Sequence, residues 1–450
     1  MGSFLSLIWS WYPMAGTSPS HGSILDTDLY KLTMQQAVLE HFPNAVVRYK
    51  FNNRSKQTEF SRSCLAVFQQ KVTDFANRQL QDDEVAWLKR RCSWFKDSYL
   101  DYLKAFRFHP DDQVSITFEP STANPDRGQI QIEVHGLWAE TILYEVPLMA
   151  ALSEAYFTTD DTDWSLQGQE ENAYQKGLQL LKHGVQLSEF GTRRRRSFET
   201  HQLVMQGLMR AHKEISADPQ YKGQLRGTSN VHFAHQFDVL PIGTIAHEWT
   251  MGARKIRSLF NAITMLTTAA LLGYTTPNTT ALKLWEATYP TENPANTGLH
   301  IALTDTFRSS VFFREIRASP DIARRWKGMR QDSGVPLEFA REAKKLYEEL
   351  EIDVSTKILV FSDGLDVPRT LNIQDVNSKE IGFQASFGVG TSLTNDFKTL
   401  STGEKSKALN IVIKLSEIDG KQCVKLSDDL GKNTGDQAAV AQLKRELGVE

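Results

Sequence analysis

Lys357-Ile358-Leu359-Val360-Phe361-Ser362-Asp363-Gly364 sets four consecutive apolar residues between a lysine and a hydroxyl, a carboxylate and a glycine. A strand with one wet face alternates, whereas an unbroken apolar run needs cover on both faces. A parallel sheet flanked by helices supplies that cover. The polar triplet after Phe361 marks the carboxyl end of the strand, the edge where open α/β sheets and barrels bind ligands. Similar runs occupy residues 187–190, 239–242, 299–303 and 384–387, with helix-length stretches between them. The pattern predicts five βα units with polar chemistry at the strand ends. It favours a barrel-like arrangement and leaves an open sheet as the competing architecture.

The flanking sequence reads differently. Leu29–His41 has apolar residues every three or four positions, which predicts a helix capped by Asp26 or Thr27. Residues 46–52 alternate as a strand, and helices are expected between 75 and 102. Residues 114–118 and 129–134 alternate around a turn-rich link and predict a hairpin. Residues 142–156 read as a buried helix with Pro147 near its first turn. Residues 410–415 and 423–426 suggest a second hairpin turned by Asp419-Gly420, and 436–447 a terminal helix. The expected division is a tail over 1–24, an α+β domain over 25–185, a barrel-like domain over 186–400 and a C-terminal hairpin and helix over 401–450 that pack back on the N-terminal domain.

Composition narrows the class. The chain has 450 residues, of which 40% are hydrophobic, enough for a large core and too many for disorder. A net charge of -3 gives no general attraction to nucleic acid. The three cysteines, Cys64, Cys92 and Cys423, lack disulfide or zinc spacing and fit a reducing compartment, cytoplasmic and also nuclear. Residues 4–14 are apolar but too short to span a bilayer, which takes about 20 residues. Residues 263–272 are apolar, contain three threonines and read as a buried helix.

Candidate chemistry gathers at the predicted strand ends. His247 follows Pro241-Ile242-Gly243-Thr244, with Glu248 beside it and Asp305 at another strand end as possible orienters. A neutral imidazole there can attack a phosphoryl group; one histidine among eleven is otherwise an ordinary core or surface residue. In Phe190-Gly191-Thr192-Arg193-Arg194-Arg195-Arg196, helical spacing would put Arg193 and Arg196 on one side, and Arg193 is the first candidate for an anion. The alternative is a solvated basic helix start. Gly388-Val389-Gly390-Thr391 can aim amides at a phosphate, or simply turn the chain. Arg330 and Asp332 can meet a phosphate and Mg²⁺, or pair with each other. Ser362 and Gly364 form a further rim or cap a helix.

Taken in order, these segments resemble the nicotinate phosphoribosyltransferases, the fungal members in particular. The resemblance runs from Leu25-Asp26-Thr27-Asp28-Leu29-Tyr30-Lys31 through Gly227-Thr228-Ser229-Asn230, the His247 segment, Leu303-Thr304-Asp305-Thr306 and Arg330-Gln331-Asp332-Ser333-Gly334 to Lys425-Leu426-Ser427-Asp428. It implies an irregular α/β barrel of the type II phosphoribosyltransferase kind, packed against a mixed α+β domain. It implies transfer of phosphoribose from 5-phosphoribosyl 1-diphosphate to nicotinate in NAD biosynthesis, with ATP as co-substrate and Mg²⁺. His247 would be the catalytic residue and carry a phosphohistidine. Tyr30, Phe190, Arg193 and Thr244 would hold nicotinate. Arg330, Asp332, Ser362, Gly364, Gly390 and Thr391 would hold the phosphoribosyl and diphosphate groups, with Glu248 or Asp305 near His247 or Mg²⁺. The expected partners are small molecules, without nucleic acid or membrane, in a monomer or homodimer. A phosphate-sensing binding protein, a scaffold, a nicotinamide-specific transferase and a phosphatase-like protein are the competing readings. The chain departs from the family pattern at Arg308, where glycine is expected after Asp305-Thr306-Phe307, and at Gly364.

Overall fold

A computed structural model describes residues 22–254, 276–429 and 433–449. The readings on residues 1–21 and 263–272 lie outside the described residues. Alternation builds the first sheet. In β1 (Val46–Asn53), Val47, Tyr49 and Phe51 face the core, and in β4 (Arg127–Leu137) Ile130, Ile132 and Val134 do so. With β2 (Phe60–Ser61), β3 (Val114–Pro120), β13 (Ile411–Ile418) and β14 (Lys421–Gln422), they form an antiparallel sheet in the order β14-β13-β1-β4-β2, with β3 on β4. The C-terminal strand β13 therefore lies against β1.

The Asp419-Gly420 turn is as expected: both residues have positive φ, 46° and 73°, and join Ile418 to Lys421. The partner strand differs. β14 ends at Gln422, and after Cys423, whose N–H still donates to the Ser416 carbonyl, the chain leaves the sheet so that Leu426 bridges Phe307.

The second sheet contains β5 (Gln186–Glu189), β6 (Gln224–Thr228), β7 (Ile301–Leu303), β8 (Gly328–Gln331), β9 (Ile358–Phe361) and β10 (Gln384–Val389). All pairs are parallel, in the order β6-β5-β10-β9-β8-β7, and β11 (Phe397–Lys398) and β12 (Lys405–Ser406) form a separate antiparallel pair. Side chains from all six strands line one central cavity, so the sheet curls into an irregular α/β barrel. Helices Phe198–Ser216, Pro336–Glu349 and Val367–Val376 connect successive strands outside it. Ser197 and Asp366 cap the first and last of these through their side chains.

The run 239–242 is not a strand; only Pro241 makes a bridge, to Thr228. Proline lacks the N–H that a central strand needs. The expected cap of Leu29–His41 is also replaced. Asp28 is the N-cap, but its carboxylate accepts from Ser229 rather than from the helix, and Asp26 binds Arg195. Among the described residues no helix is long and apolar enough to cross a membrane.

Candidate active site

The carboxyl ends of the barrel strands converge. Phe190 and Arg193 follow β5, Ser229 follows β6, Asp305 follows β7, Asp332 follows β8, Ser362 and Gly364 follow β9, and Gly390 and Thr391 follow β10. His247 opens a helical segment after the 239–246 loop, in its first turn. Three cavities meet here. The first, about 770 Å³, is lined at its mouth by Tyr30, Phe190, Arg193, Ser229, Thr244 and Arg330. The second, about 510 Å³, is lined by Arg194, Ser362, Gly364, Gly390, Thr391 and Lys405 among others. The third, about 100 Å³, contains His247, Asp332, Lys414 and Lys425. Arg193 and Arg330 line all three.

His247 is held from two sides. Its Nδ1 lies 3.0 Å from Thr306 Oγ1, and its Nε2 lies 2.8 Å from Lys425 Nζ and 3.2 Å from Asp332 Oδ2. A charged Lys425 can only donate, so the network assigns the Nε2 lone pair to it and the Nδ1 proton to Thr306. Burial and then Lys425 lower the imidazole's pKa, against the opposing pull of Asp305 and Asp332. The lowered pKa favours the neutral ring, the form in which an imidazole can act as a nucleophile.

The carboxylates are fixed by cations. Burial alone would raise Asp332, but the charge of Arg330, reinforced by Lys425, outweighs it and holds it well below the usual carboxylate range. Arg330 Nη2 donates to Asp332 Oδ1 at 2.9 Å and its Nε to Ser362 Oγ at 2.8 Å. Asp305 is buried, and its Oδ2 accepts from Ser333 at 2.6 Å and Lys425 at 3.2 Å. Its Oδ1 is buried without a hydrogen-bond partner among the described residues. His247, Asp305 and Asp332 present ligand atoms within 4.8 Å of one another.

The arginine run divides. Thr192–Arg194 is a 3-10 turn rather than the start of an α-helix, so Arg193 and Arg196 do not share a side. Arg193 faces the cavities and pairs with Glu145 at 3.5 Å. Arg194 donates to the Ile411 carbonyl, and Arg195 is buried against Asp26. Arg196 is fully buried between the rings of Phe157 and Phe397. The solvated alternative is thereby excluded.

Glu248 does not orient His247. Its carboxylate turns into the core, where it accepts from Lys31 (2.5 Å), Tyr49 (2.5 Å) and Trp138 (2.7 Å). Adjacent residues on a helix point apart, and the buried ammonium claims it. Burial would lower Lys31, but Glu145 and Glu248 together raise it.

Gly390 and Gly364 are structural necessities. A Cβ on Gly390 would lie 2.7 Å from the Phe190 carbonyl oxygen, and Gly364 has φ 58°. The sequence reading gave no role to Lys414, Lys425, Thr306 or Glu145, although Thr306 and Lys425 lie within the segments that carry the resemblance. The signal for Lys425 was there: it sits between Val424 and Leu426, whose side chains belong to a small separate core with Phe307, Val311, Leu443 and Leu447.

The model of the nicotinate phosphoribosyltransferase family matches residues 185–450, and that of the family's N-terminal domain matches residues 25–153. A relative from Schizosaccharomyces pombe is 41% identical over 434 residues, covering 96% of this chain and 98% of its own. The nicotinate phosphoribosyltransferase of Saccharomyces cerevisiae is 38% identical and covers 96% of each. A solved structure from Saccharomyces cerevisiae superposes with a TM-score of 0.87 at 38% identity, over 95% of this chain and 98% of that one. The nicotinate phosphoribosyltransferase structure from Porphyromonas gingivalis gives 0.79 at 33% identity, over 95% and 99%.

Proposed function

The chain belongs to the nicotinate phosphoribosyltransferase family, and on that premise we propose that it converts nicotinate and 5-phosphoribosyl 1-diphosphate into nicotinate mononucleotide and diphosphate, a step of NAD biosynthesis, and couples the transfer to ATP hydrolysis through phosphorylated His247. The observation that carries this reading is the sharing of Arg193 and Arg330 by three cavities of different character. One suits a planar base, one a phosphate, and one holds the reactive imidazole.

In the transfer, the ring nitrogen of nicotinate gives its electron pair to the anomeric carbon as the bond to the diphosphate oxygen breaks. Tyr30 and Phe190 would hold the ring, with Arg193 and the Thr244 hydroxyl toward the carboxylate. Arg330, Ser362 and the Gly364, Gly390 and Thr391 backbone would receive the phosphoribosyl phosphate. Fixed cations at the leaving group act on charge that grows in the transition state.

The oxygen-rich pair Asp305 and Asp332, with the unpartnered Asp305 Oδ1, suits Mg²⁺. When bound with diphosphate, the ion would neutralise part of the leaving-group charge. In the ATP half-reaction, His247 Nε2 would attack the γ-phosphorus and ADP would leave. The resulting phosphohistidine is an anion beside Lys425, and its later hydrolysis would release the pull on that lysine.

The test is a mass-resolved assay with nicotinate, 5-phosphoribosyl 1-diphosphate and Mg²⁺, with and without ATP, and with nicotinamide as the competing base. Nicotinate mononucleotide and diphosphate in equal amounts, stimulated by ATP, are expected. Absence of the mononucleotide would overturn the transfer, and indifference to ATP would overturn the coupling.

A further inference from the structure

Glu189 ends β5, and neither the transfer scheme nor the ATP half-reaction uses it. Its side chain is fully buried and lines none of the three cavities that meet at the barrel mouth. Oε1 accepts from the Gly191 N–H. Oε2 accepts from the Thr228 hydroxyl at 2.6 Å and from His201 Nε2 at 2.8 Å. Thr228 ends β6, His201 lies in the first turn of the helix Phe198–Ser216, and both are fully buried. Donors from a turn, a strand and a helix therefore converge on one carboxylate. Burial would raise Glu189, but His201, Thr228 and Gly191 outweigh it and hold it below its ordinary value. An ionised carboxylate accepts and cannot donate, so this contact assigns the His201 proton to Nε2.

The residues next to these contacts line the cavity proposed for the base. Phe190 stands between Glu189 and Gly191, and Ser229 follows Thr228. The Ser229 N–H donates to the Glu189 carbonyl at 2.8 Å, and the Ser229 carbonyl accepts from Leu29 N at 2.8 Å. The Ser229 hydroxyl donates to Asp28 at 2.8 Å, beside the segment that carries Tyr30. Glu189 thus ties together Phe190, Ser229 and the start of the Tyr30 helix. The fit is close: a Cβ on Gly191 would lie 2.7 Å from Glu189 Oε1, so a larger residue would push the carboxylate out from under the turn.

The phosphate side of the same turn is anchored elsewhere. Thr394 Oγ1 donates to the Gly191 carbonyl at 2.8 Å, Asn395 Nδ2 to the Arg194 carbonyl at 2.8 Å, and Arg196 N to the Thr394 carbonyl at 3.0 Å. These bonds do not involve Glu189. Loss of the carboxylate would therefore disturb the base cavity more than the phosphate cavity.

We propose that Glu189, held by His201 and Thr228, is a positioning residue for the base: it sets Phe190 against Ser229 and Tyr30 at the spacing that grips one planar ring, without touching the ring itself. The inference rests on the proposed transferase reading, in which nicotinate is that base. Small displacements of groups that hold a substrate are costly, because binding and reaction both depend on their placement.

The test is steady-state kinetics of the full chain, with nicotinate and 5-phosphoribosyl 1-diphosphate varied in turn, beside equilibrium dialysis of radiolabelled nicotinate. Glu189→Gln sets an N–H2 group among donors at nearly unchanged volume. It should raise the KM and Kd for nicotinate about tenfold and leave the KM for 5-phosphoribosyl 1-diphosphate within about twofold. Thr228→Val removes one donor and should raise the nicotinate KM about threefold. Thr228→Ser keeps the hydroxyl and should match wild type. Thermal melting checks folding, and the two threonine variants keep the test open should Glu189→Gln be unstable.

A rise confined to nicotinate, restored by serine at 228, supports the proposal. A merely structural role predicts a lower melting temperature without that selectivity. An unchanged nicotinate KM in both Glu189→Gln and Thr228→Val, an equal rise for both substrates, or a Thr228→Ser enzyme as impaired as Thr228→Val overturns it. Wild type that binds nicotinate without forming the mononucleotide would defeat the functional reading, and the dialysis series would still decide the role of Glu189. Wild type that fails to bind nicotinate overturns both.

Discussion

Lys425 Nζ lies 2.8 Å from His247 Nε2, across 178 residues of sequence. The contact requires two departures from the expected hairpin: β13 runs on to Ile418, and the chain after Gln422 crosses to the barrel. There Leu426 N donates to the Thr306 carbonyl and Arg308 N to the Leu426 carbonyl. The same short bridge thus fixes Thr306 and Lys425, the two residues that hold opposite nitrogens of the imidazole.

His247→Ala should therefore abolish ATP stimulation while a slow ATP-independent transfer persists, because the ring lines neither of the two larger cavities, the ones proposed for the base and the phosphate. Lys425→Met should reduce the ATP-stimulated rate about tenfold to a hundredfold, through loss of a charge-assisted bond worth about 1.5–3 kcal/mol. Its ATP-independent rate should fall less. Initial rates with and without ATP give both ratios, and a His247→Ala enzyme with full coupling would sink the role assigned to the histidine.

Arg193 lines the cavity proposed for the base, while Arg194, Arg195 and Arg196 are committed elsewhere. Arg193→Met should raise the KM for nicotinate by about tenfold or more. The effect on nicotinamide, which lacks the carboxylate charge, should be much smaller. Competition between the two bases, read by mass, checks this. An equal loss for both would assign Arg193 to the ribose or phosphate instead.

Asp26 and Arg195 form a two-pronged pair at 2.7 Å on each arm, and both are buried. Asp26→Asn leaves a buried guanidinium without its counter-charge and should cost about 3–5 kcal/mol in chemical denaturation at pH 7. Burial opposes ionisation of Asp26, but Arg195 outweighs it and holds the carboxyl below its ordinary value of 3.8. The sign follows from proton counting. The unfolded chain binds this proton more readily, so the contribution is complete above the ordinary value and fades as pH falls below it. The difference between wild type and variant should therefore shrink on acidification. A difference that stayed constant from pH 7 to pH 3 would contradict the pairing.

Much of the site was legible in the sequence because strand ends carry punctuation. Ile358-Leu359-Val360-Phe361 and the turn at Asp419-Gly420 each have a local cause, namely burial on both faces and the need for positive φ. β6 and β8 were missed because Gln224-Leu225-Arg226-Gly227-Thr228 and Gly328-Met329-Arg330-Gln331 point polar side chains such as Arg226 and Arg330 into the central cavity. A strand that lines a polar binding site lacks the apolar run by which it would be recognised. Residues 239–242 misled for the converse reason, being apolar while Pro241 withholds the N–H. Glu248 and the arginine run were settled by distant partners: Lys31, Tyr49 and Trp138 for the first, Asp26 and Ile411 for the second. No local pattern encodes those.

Arg308 occupies a backbone conformation that glycine takes readily, with φ 68° and ψ 141°. Such a geometry costs a non-glycine residue about 1–3 kcal/mol, and here it falls where the family resemblance leads one to expect glycine. The strain is sustained by the Arg308 N–H, which donates to the Leu426 carbonyl at 2.7 Å and so anchors the segment carrying Lys425. The side chain returns little, since its Nε is buried without a partner among the described residues. Glycine would keep the N–H bond and remove the strain, at a cost of about 0.5–1 kcal/mol in chain entropy. Arg308→Gly should therefore stabilise the protein by about 1 kcal/mol, whereas Arg308→Ala keeps the Cβ and should not. Urea denaturation of the three proteins decides the matter. Equal stabilisation by alanine would show that the guanidinium, rather than the backbone, is the source of the strain.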